Sequence, residues 1–224
     1  MIYILYFFGF LPSIIWLLFY LRKDVHPESN EQILKVFFYG IIIAFCAILV
    51  EMMFKEMLSP KSVLYIFIGG AFVEEYLKYL VIKFEILRNP ELDEPFDIML
   101  YMIIAALGFA ALENILILCK YHPFLELSTT LNITTWRFLT GTFLHTLSSG
   151  ILGYFLALSF LNLKNQKKLF LAGLFLASML HGFYNLFIIR GSEEMLILIL
   201  PITALFVLIC CKKLKKVKGI CLIK

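Results

Sequence analysis

Charge is scarce in this chain: Asp, Glu, Lys and Arg make up only 16% of 224 residues, well below the roughly 25% usual in soluble domains. No polar stretch between the apolar runs is long enough to form a separate soluble domain. Its five cysteines include no CxxC pair, so neither a disulfide framework nor a zinc ribbon is indicated. HExxH is missing, which leaves no local signature of a metalloprotease helix. Two-residue alternation of apolar and polar positions is also missing, which excludes an outer-membrane barrel. No basic residue precedes the first apolar run, and Arg22 and Lys23 follow it, so the run reads as a retained anchor rather than a cleaved signal peptide.

What is present in excess is apolar surface: 62% of the residues are hydrophobic, and the mean hydropathy is +0.91. That composition specifies an all-α polytopic membrane protein. Seven apolar spans are predicted, at 2–21, 33–54, 62–87, 96–119, 133–161, 168–189 and 194–211, each near the ~17–25 residues that a tilted helix needs. With the N-terminus outside, 14 of the 20 Lys and Arg residues fall on the cytoplasmic side and 4 outside, the remaining two being Lys78 and Arg137 within spans. The positive-inside rule therefore puts the C-terminus in the cytoplasm. Residues 1–211 read as a single transmembrane domain with the candidate catalytic core expected at 62–190, where the polar groups described below lie, and 212–224 as a basic cytoplasmic tail. The net charge of +4 mostly restates this tail, which suits anionic lipid rather than nucleic acid. Pro90 and Pro95 bound a short loop, while Pro123 and Ser128-Thr129-Thr130 mark 121–135 as the longest outer loop. The C-terminal Cys221-Leu222-Ile223-Lys224 has only the outline of a prenylation box, since Lys is not a usual last residue.

Four spans carry polar groups that hydropathy alone would not place there. The third has Glu74, Glu75 and Lys78; the fourth Phe109, Glu113 and Asn114; the fifth His145 and Ser149; the sixth His181 and Asn185. Glu74/Lys78, Phe109/Glu113, His145/Ser149 and His181/Asn185 are all i, i+4 pairs, so each helix presents its pair on one face. At 1.5 Å per residue from the outer end, Glu74 and His145 lie about 18 Å deep, His181 about 14 Å and Glu113 about 10 Å. Groups at these depths can meet, and ionisable residues within a span mark function unless a structural pairing explains them. Such explanations exist for each: an internal ion pair for Glu74 and Glu75 with Lys78, a helix-bridging hydrogen bond for His145, a bond to its own preceding turn for Ser149, and snorkelling for Arg137. Glu51 and Lys55 read as an interfacial pair, and the first two spans as poor in chemistry.

Carboxylates, histidines and an asparagine supply a base, a proton shuttle and an oxyanion donor, enough to hydrolyse an amide with activated water. His145 and Ser149 lack the acidic third member that Ser-His catalysis needs. In this order Glu-Glu-x-x-Lys at 74–78, Phe-x-x-x-Glu-Asn at 109–114, His-x-x-x-Ser at 145–149 and His-x-x-x-Asn at 181–185 resemble the PrsW family of bacterial intramembrane proteases. More distantly they resemble the CAAX prenyl proteases and bacteriocin-processing proteins. The CAAX branch carries histidine where Glu113 stands, and many family members carry aspartate where Asn185 stands.

The resemblance implies a glutamate-dependent endopeptidase of the bacterial plasma membrane that makes the first, outer-side cut in a single-pass anti-sigma factor. Its catalytic set is Glu74, Glu75, Glu113, His145, His181 and Asn185, supported by Lys78, Asn114, Ser149 and Arg137. No cofactor is required on this reading. The alternative is a zinc hydrolase with His145, His181 and Glu113 as ligands. A channel, transporter or immunity protein with a polar core is the alternative from another class.

Overall fold

The computed structural model describes residues 2–24, 26–89, 92–121 and 126–217, so Pro90, Pro123 and the tail beyond Val217 lie outside the described residues. Among those described, all regular structure is helical: α1 (Ile2–Leu21), α2 (Asn30–Met57), a π-helical segment (Tyr65–Phe72) running into α3 (Val73–Glu85), α4 (Pro95–Tyr121), α5 (Leu127–Leu139), α6 (Gly141–Leu161), α7 (Gln166–Arg190) and α8 (Leu196–Leu214). Five helical stretches have the length and apolarity to cross a membrane, namely α2, α4, the α5–α6 stretch, the stretch containing α7, and α8.

Helix α4 is the axis of the bundle. It is apolar on every side, and a helix of that kind has no solvent face to present; from Ile98 to Leu112 every residue is buried. Helices α1, α2, α6 and α8 pack around it. Gly40 of α2 and Gly108 of α4 make the closest crossing: a Cβ on Gly108 would strike the Phe37 carbonyl, and one on Gly40 the Ala105 carbonyl. Small residues permit this approach in lipid, where packing rather than water exclusion drives association.

At one end the bundle gathers the basic residues and a layer of polar contacts. His26 pairs with Glu94 at 2.7 Å, Lys35 with Glu85 at 2.7 Å, and the Tyr101 hydroxyl donates to Glu28 at 2.7 Å. Burial holds the Glu28 carboxyl above the usual carboxylate range, more strongly than the Tyr101 bond lowers it. The opposite end carries Lys55, Lys120 and α5.

Two expectations about this opposite end change. The region predicted as an outer loop, 121–135, is largely helix from Leu127 onward. Ser and Thr suggest a loop because they compete for backbone, but Thr130 instead donates back to the Glu126 carbonyl at 3.0 Å and remains helical. The predicted fifth span, 133–161, is interrupted at Thr140, whose φ of −121° and ψ of −75° leave the helical region. Trp16 fixes the bend by stacking on Phe138 and Phe143, with ring centroids 5.2 and 4.6 Å away, and by donating its indole N–H to the Phe138 carbonyl at 3.0 Å. The first span thus sets the direction in which α5 leaves α6.

Candidate active site

The inner face of α3 is built from Glu74, Glu75, Lys78, Val81 and Ile82, all buried, at the i, i+1, i+4, i+7, i+8 spacing of one helical stripe. The π-helical turns end immediately before it, and such widened turns recur at functional sites. The uniform third helix predicted over 62–87 therefore changes character at Val73.

Glu75 is saturated. Its Oε1 accepts from Lys78 Nζ at 2.8 Å, Ser148 Oγ at 3.0 Å and His181 Nδ1 at 2.9 Å, and its Oε2 accepts from Ser149 Oγ at 2.8 Å. Ser149 thus bonds across to α3, not to its own preceding turn. Lys78 is wholly buried yet well partnered: besides Glu75 it lies 3.5 Å from Glu74 Oε2, 4.3 Å from the centroid of the Phe109 ring, and 2.9 Å from His145 Nδ1. Because an ammonium only donates, His145 Nδ1 must accept, which puts the imidazole proton on Nε2. That nitrogen faces Glu113 Oε2 at 2.8 Å.

Glu113 is held from its other side by Arg137 Nη2 at 2.8 Å. The same guanidinium donates from Nε to Asn114 Oδ1 at 2.6 Å, and Asn114 Nδ2 in turn donates to Thr142 Oγ1 at 3.0 Å. Arg137 therefore turns into the protein and does not snorkel. It can do so because Gly141 has no side chain; a Cβ there would strike the guanidinium. The bend at Thr140 sets α5 against α1 and α4 and delivers the arginine to Glu113.

His181 donates from Nδ1 to the ionised Glu75 and keeps Nε2 as a lone pair, 3.8 Å from Glu74 Oε2. His145 and His181 meet edge to face with ring centroids 4.9 Å apart. The fourfold juxtaposition expected from the depth estimates is thus present: Glu74, Glu113, His145 and His181 all line one cavity of about 460 Å³. Asn185 lies on its wall, near the start of a smaller cavity beside Glu74 and Gly70.

Helix α2 contributes more than the sequence suggests. Glu51 and Lys55 line the same cavity, where Glu51 joins Glu74 on the wall. Their i, i+4 spacing signals only a helix-surface pair. The finding signal would have been the small residues Ala44 and Ala47 on the same face, which bring α2 against α4. Tyr184 also lines the wall and meets Thr140 Oγ1 at 3.2 Å.

Glu74, His145 and His181 each bring one donor atom within 4.8 Å of the others. Glu74 Oε2 is buried with no hydrogen-bond partner among the described residues and only Lys78 Nζ, at 3.5 Å, to offset its charge, which leaves its lone pairs open to a further ligand. A histidine whose second nitrogen is anchored by a carboxylate, as Glu75 anchors His181, is the usual arrangement behind a metal ligand. Two nitrogens and a carboxylate oxygen also match the donor set of catalytic zinc. Glu74 Oε2 and His181 Nε2 fit two ligands of a divalent metal, and His145 completes the set only by exchanging the Lys78 contact at Nδ1, or the proton at Nε2, for the ion. This trio differs from the expected His145, His181 and Glu113, because Glu113 sits one contact further out, on His145.

The family model described as "PrsW family intramembrane metalloprotease" matches residues 28–210 of the chain. The chain is 28% identical over 218 residues to the Protease PrsW of Bacillus subtilis, covering 95% of this chain and 94% of that protein. It is 28% identical over 168 residues to that of Geobacillus kaustophilus, covering 75% and 71%, and 24% identical over 204 residues to that of Clostridioides difficile, covering 88% and 84%. No solved structure matches the chain.

Proposed function

The chain belongs to the PrsW family of intramembrane proteases and is a peptidase, and from that premise we propose that it hydrolyses a single-pass membrane protein of the anti-sigma class near the outer boundary of the substrate's span. The enzyme sits in a bacterial plasma membrane with seven spans, counting α1 and the π-helix–α3 unit with the five long apolar stretches. Its basic end faces the cytoplasm. The observation that carries this reading is the convergence of Glu74, Glu113, His145 and His181 on one cavity, at the level where Lys55, Lys120 and Arg137 also line its wall.

Glu113 is the group placed to take the proton of the attacking water. Its side chain is 28% exposed, so it reaches the cavity, while Arg137 and His145 fix the carboxylate's direction. The proton then passes from Glu113 to the leaving amine, while His145, protonated at Nε2, holds the carboxylate in place. Asn185 is the donor for the oxyanion that forms on the scissile carbonyl. Glu75 and Lys78 take no part in the proton transfers: they orient His181 and His145. Glu74 and His181, with His145, would hold a divalent metal, which when bound would supply Lewis acidity.

A second, metal-free reading has Glu74 as the base, assisted by Glu113 or Glu75, and it is favoured by a Glu74 Oε2 that has no hydrogen-bond partner and by the place of Glu74 on the cavity wall. Metal analysis of the purified protein together with cleavage of a single-pass reporter separates the two. The metal reading expects about one equivalent of divalent ion, its loss in Glu74→Gln and His181→Ala, and activity that chelation abolishes and the ion restores. Full cleavage by metal-free protein establishes the second reading instead.

A further inference from the structure

A second sizeable cavity, of about 360 Å³, lies at the basic end, remote from the site just described, in the wedge between α3, the end of α6 and the start of α7. Its lining divides into two halves. Tyr79, Leu87, Leu156, Phe160 and Phe170 form an apolar floor, with the Tyr79 and Phe170 rings 4.4 Å apart. Lys83, Arg88 and Lys167 supply three cations, and among the described residues no carboxylate lines the cavity. The nearby Glu85 is engaged by Lys35 at 2.7 Å.

The start of α7 adds to this charge. That helix has 25 residues and no acidic residue in its first turn, and although the Gln166 amide is taken by the Leu163 carbonyl, the positive end of the helix dipole lies beside Gln166 and Lys167. The adjoining outer surface is apolar: Phe84, Leu171 and Phe175 are each about 60% exposed, as lipid-facing side chains are. A soluble anion has no use for that border, whereas a phospholipid has acyl chains to lay on it.

We propose that this cavity binds the phosphate headgroup of an anionic phospholipid, with the chains running along the face that carries Phe84, Leu171 and Phe175. Assigning the lipid to the inner leaflet rests on the orientation proposed above; the binding itself does not. A basic pocket between helices at the level of the headgroups is how membrane proteins hold such lipids. Since Tyr79 and Lys83 lie on the same helix as Glu74 and Glu75, the lipid also braces the end of α3 opposite the site.

Native mass spectrometry of the purified full-length protein, titrated with phosphatidylglycerol and with phosphatidylcholine, tests the proposal. Saturable binding of phosphatidylglycerol over phosphatidylcholine is expected. The Lys83→Gln, Arg88→Gln, Lys167→Gln triple variant should bind about a hundredfold more weakly, at roughly fivefold per charge. Gln166→Trp, which fills the cavity and leaves the charge unchanged, should also lose binding. Lys212→Gln, Lys213→Gln, Lys215→Gln removes as many charges from the same end but outside the cavity, and should bind as the wild type does. Equal binding of the two lipids, an equal loss in the tail variant, or undiminished binding by the cavity variants overturns the proposal. Displacement of the lipid by inorganic phosphate at comparable concentration assigns the site to the free anion and overturns the lipid assignment.

Discussion

Glu75 commits both carboxylate oxygens to Lys78, Ser148, Ser149 and His181, while Oε2 of its neighbour Glu74 makes no hydrogen bond and only the looser 3.5 Å ion pair with Lys78. Sequence reasoning put the two glutamates in one catalytic class, because adjacency on a helix fixes their level but not which neighbours reach them. The difference predicts different failures. Glu75→Gln should lose activity together with about 3 kcal/mol or more of stability, since it strands Lys78 in the interior. Glu113→Gln, whose side chain opens to the cavity, should lower kcat by about 100-fold or more with a much smaller change in melting temperature. Activity assays and thermal melts of the two detergent-solubilised variants check this, and a stable but inactive Glu75→Gln contradicts the anchoring role. A second residue-scale prediction concerns Glu28, whose raised pKa means that the fold prefers the neutral carboxyl. Its contribution is therefore fully present below the unfolded pKa and is lost as pH rises through the folded one. Glu28→Gln keeps an acceptor for Tyr101 without the charge, so its stability relative to wild type should improve with rising pH across that range. A gap between the two melting temperatures that is flat in pH contradicts it.

Among the elements, the helices with one polar face were the legible ones. Four i, i+4 pairs gave α3, α4, α6 and α7 and turned their polar faces inward, and the structure joins them through contacts such as His145 to Glu113 at 2.8 Å. The bend between α5 and α6 was not legible, because the residues around Thr140 are neither proline nor a glycine pair and the apolar run continues through them. It depends on contacts made from 120 residues or more away in sequence: Trp16 bonds to Phe138, and Tyr20 donates to Thr146 at 3.0 Å. Helix α2 was misread for a related reason, since the residues that join Glu51 on the cavity wall belong largely to other helices. The bend predicts that Gly141→Ala acts through Arg137. The added methyl must displace the guanidinium from Glu113 and Asn114, so kcat should fall roughly tenfold, with the fold retained. Truncating the same guanidinium in Arg137→Ala should make the added methyl almost harmless. A double-mutant cycle of Gly141→Ala with Arg137→Ala measures this coupling, and additive effects contradict it.

At the scale of the whole molecule, the two ends of the bundle differ in what they offer. The basic end is closed by the His26–Glu94, Lys35–Glu85 and Tyr101–Glu28 contacts, whereas the site cavity is walled by Lys55 and Lys120, near the far ends of α2 and α4, and by Arg137 of α5. Composition alone supplied the membrane class, the bias of Lys and Arg an orientation, and the depth estimates a site toward the outer half; that Arg137 walls the cavity needed the structure, because it depends on the bend at Thr140. A substrate must present an unpaired amide to Glu113, and a transmembrane helix hides its amides in internal hydrogen bonds that the bilayer centre makes costly to break. The segment just outside the span unwinds at lower cost, and it lies level with the wall formed by Lys55, Lys120 and Arg137. Cleavage is therefore expected within the first turns of the substrate's outer boundary. Sequencing the two products of a single-pass reporter fixes the position, and labelling of Leu127→Cys by a membrane-impermeant maleimide from outside the cell fixes the side on which α5 lies. A cut at the outer boundary with Leu127→Cys labelled from outside is the expected pair of results. A cut on the cytoplasmic side with the same labelling contradicts the route of entry, while protection of Leu127→Cys from external label together with a cytoplasmic cut inverts the orientation and leaves the route standing.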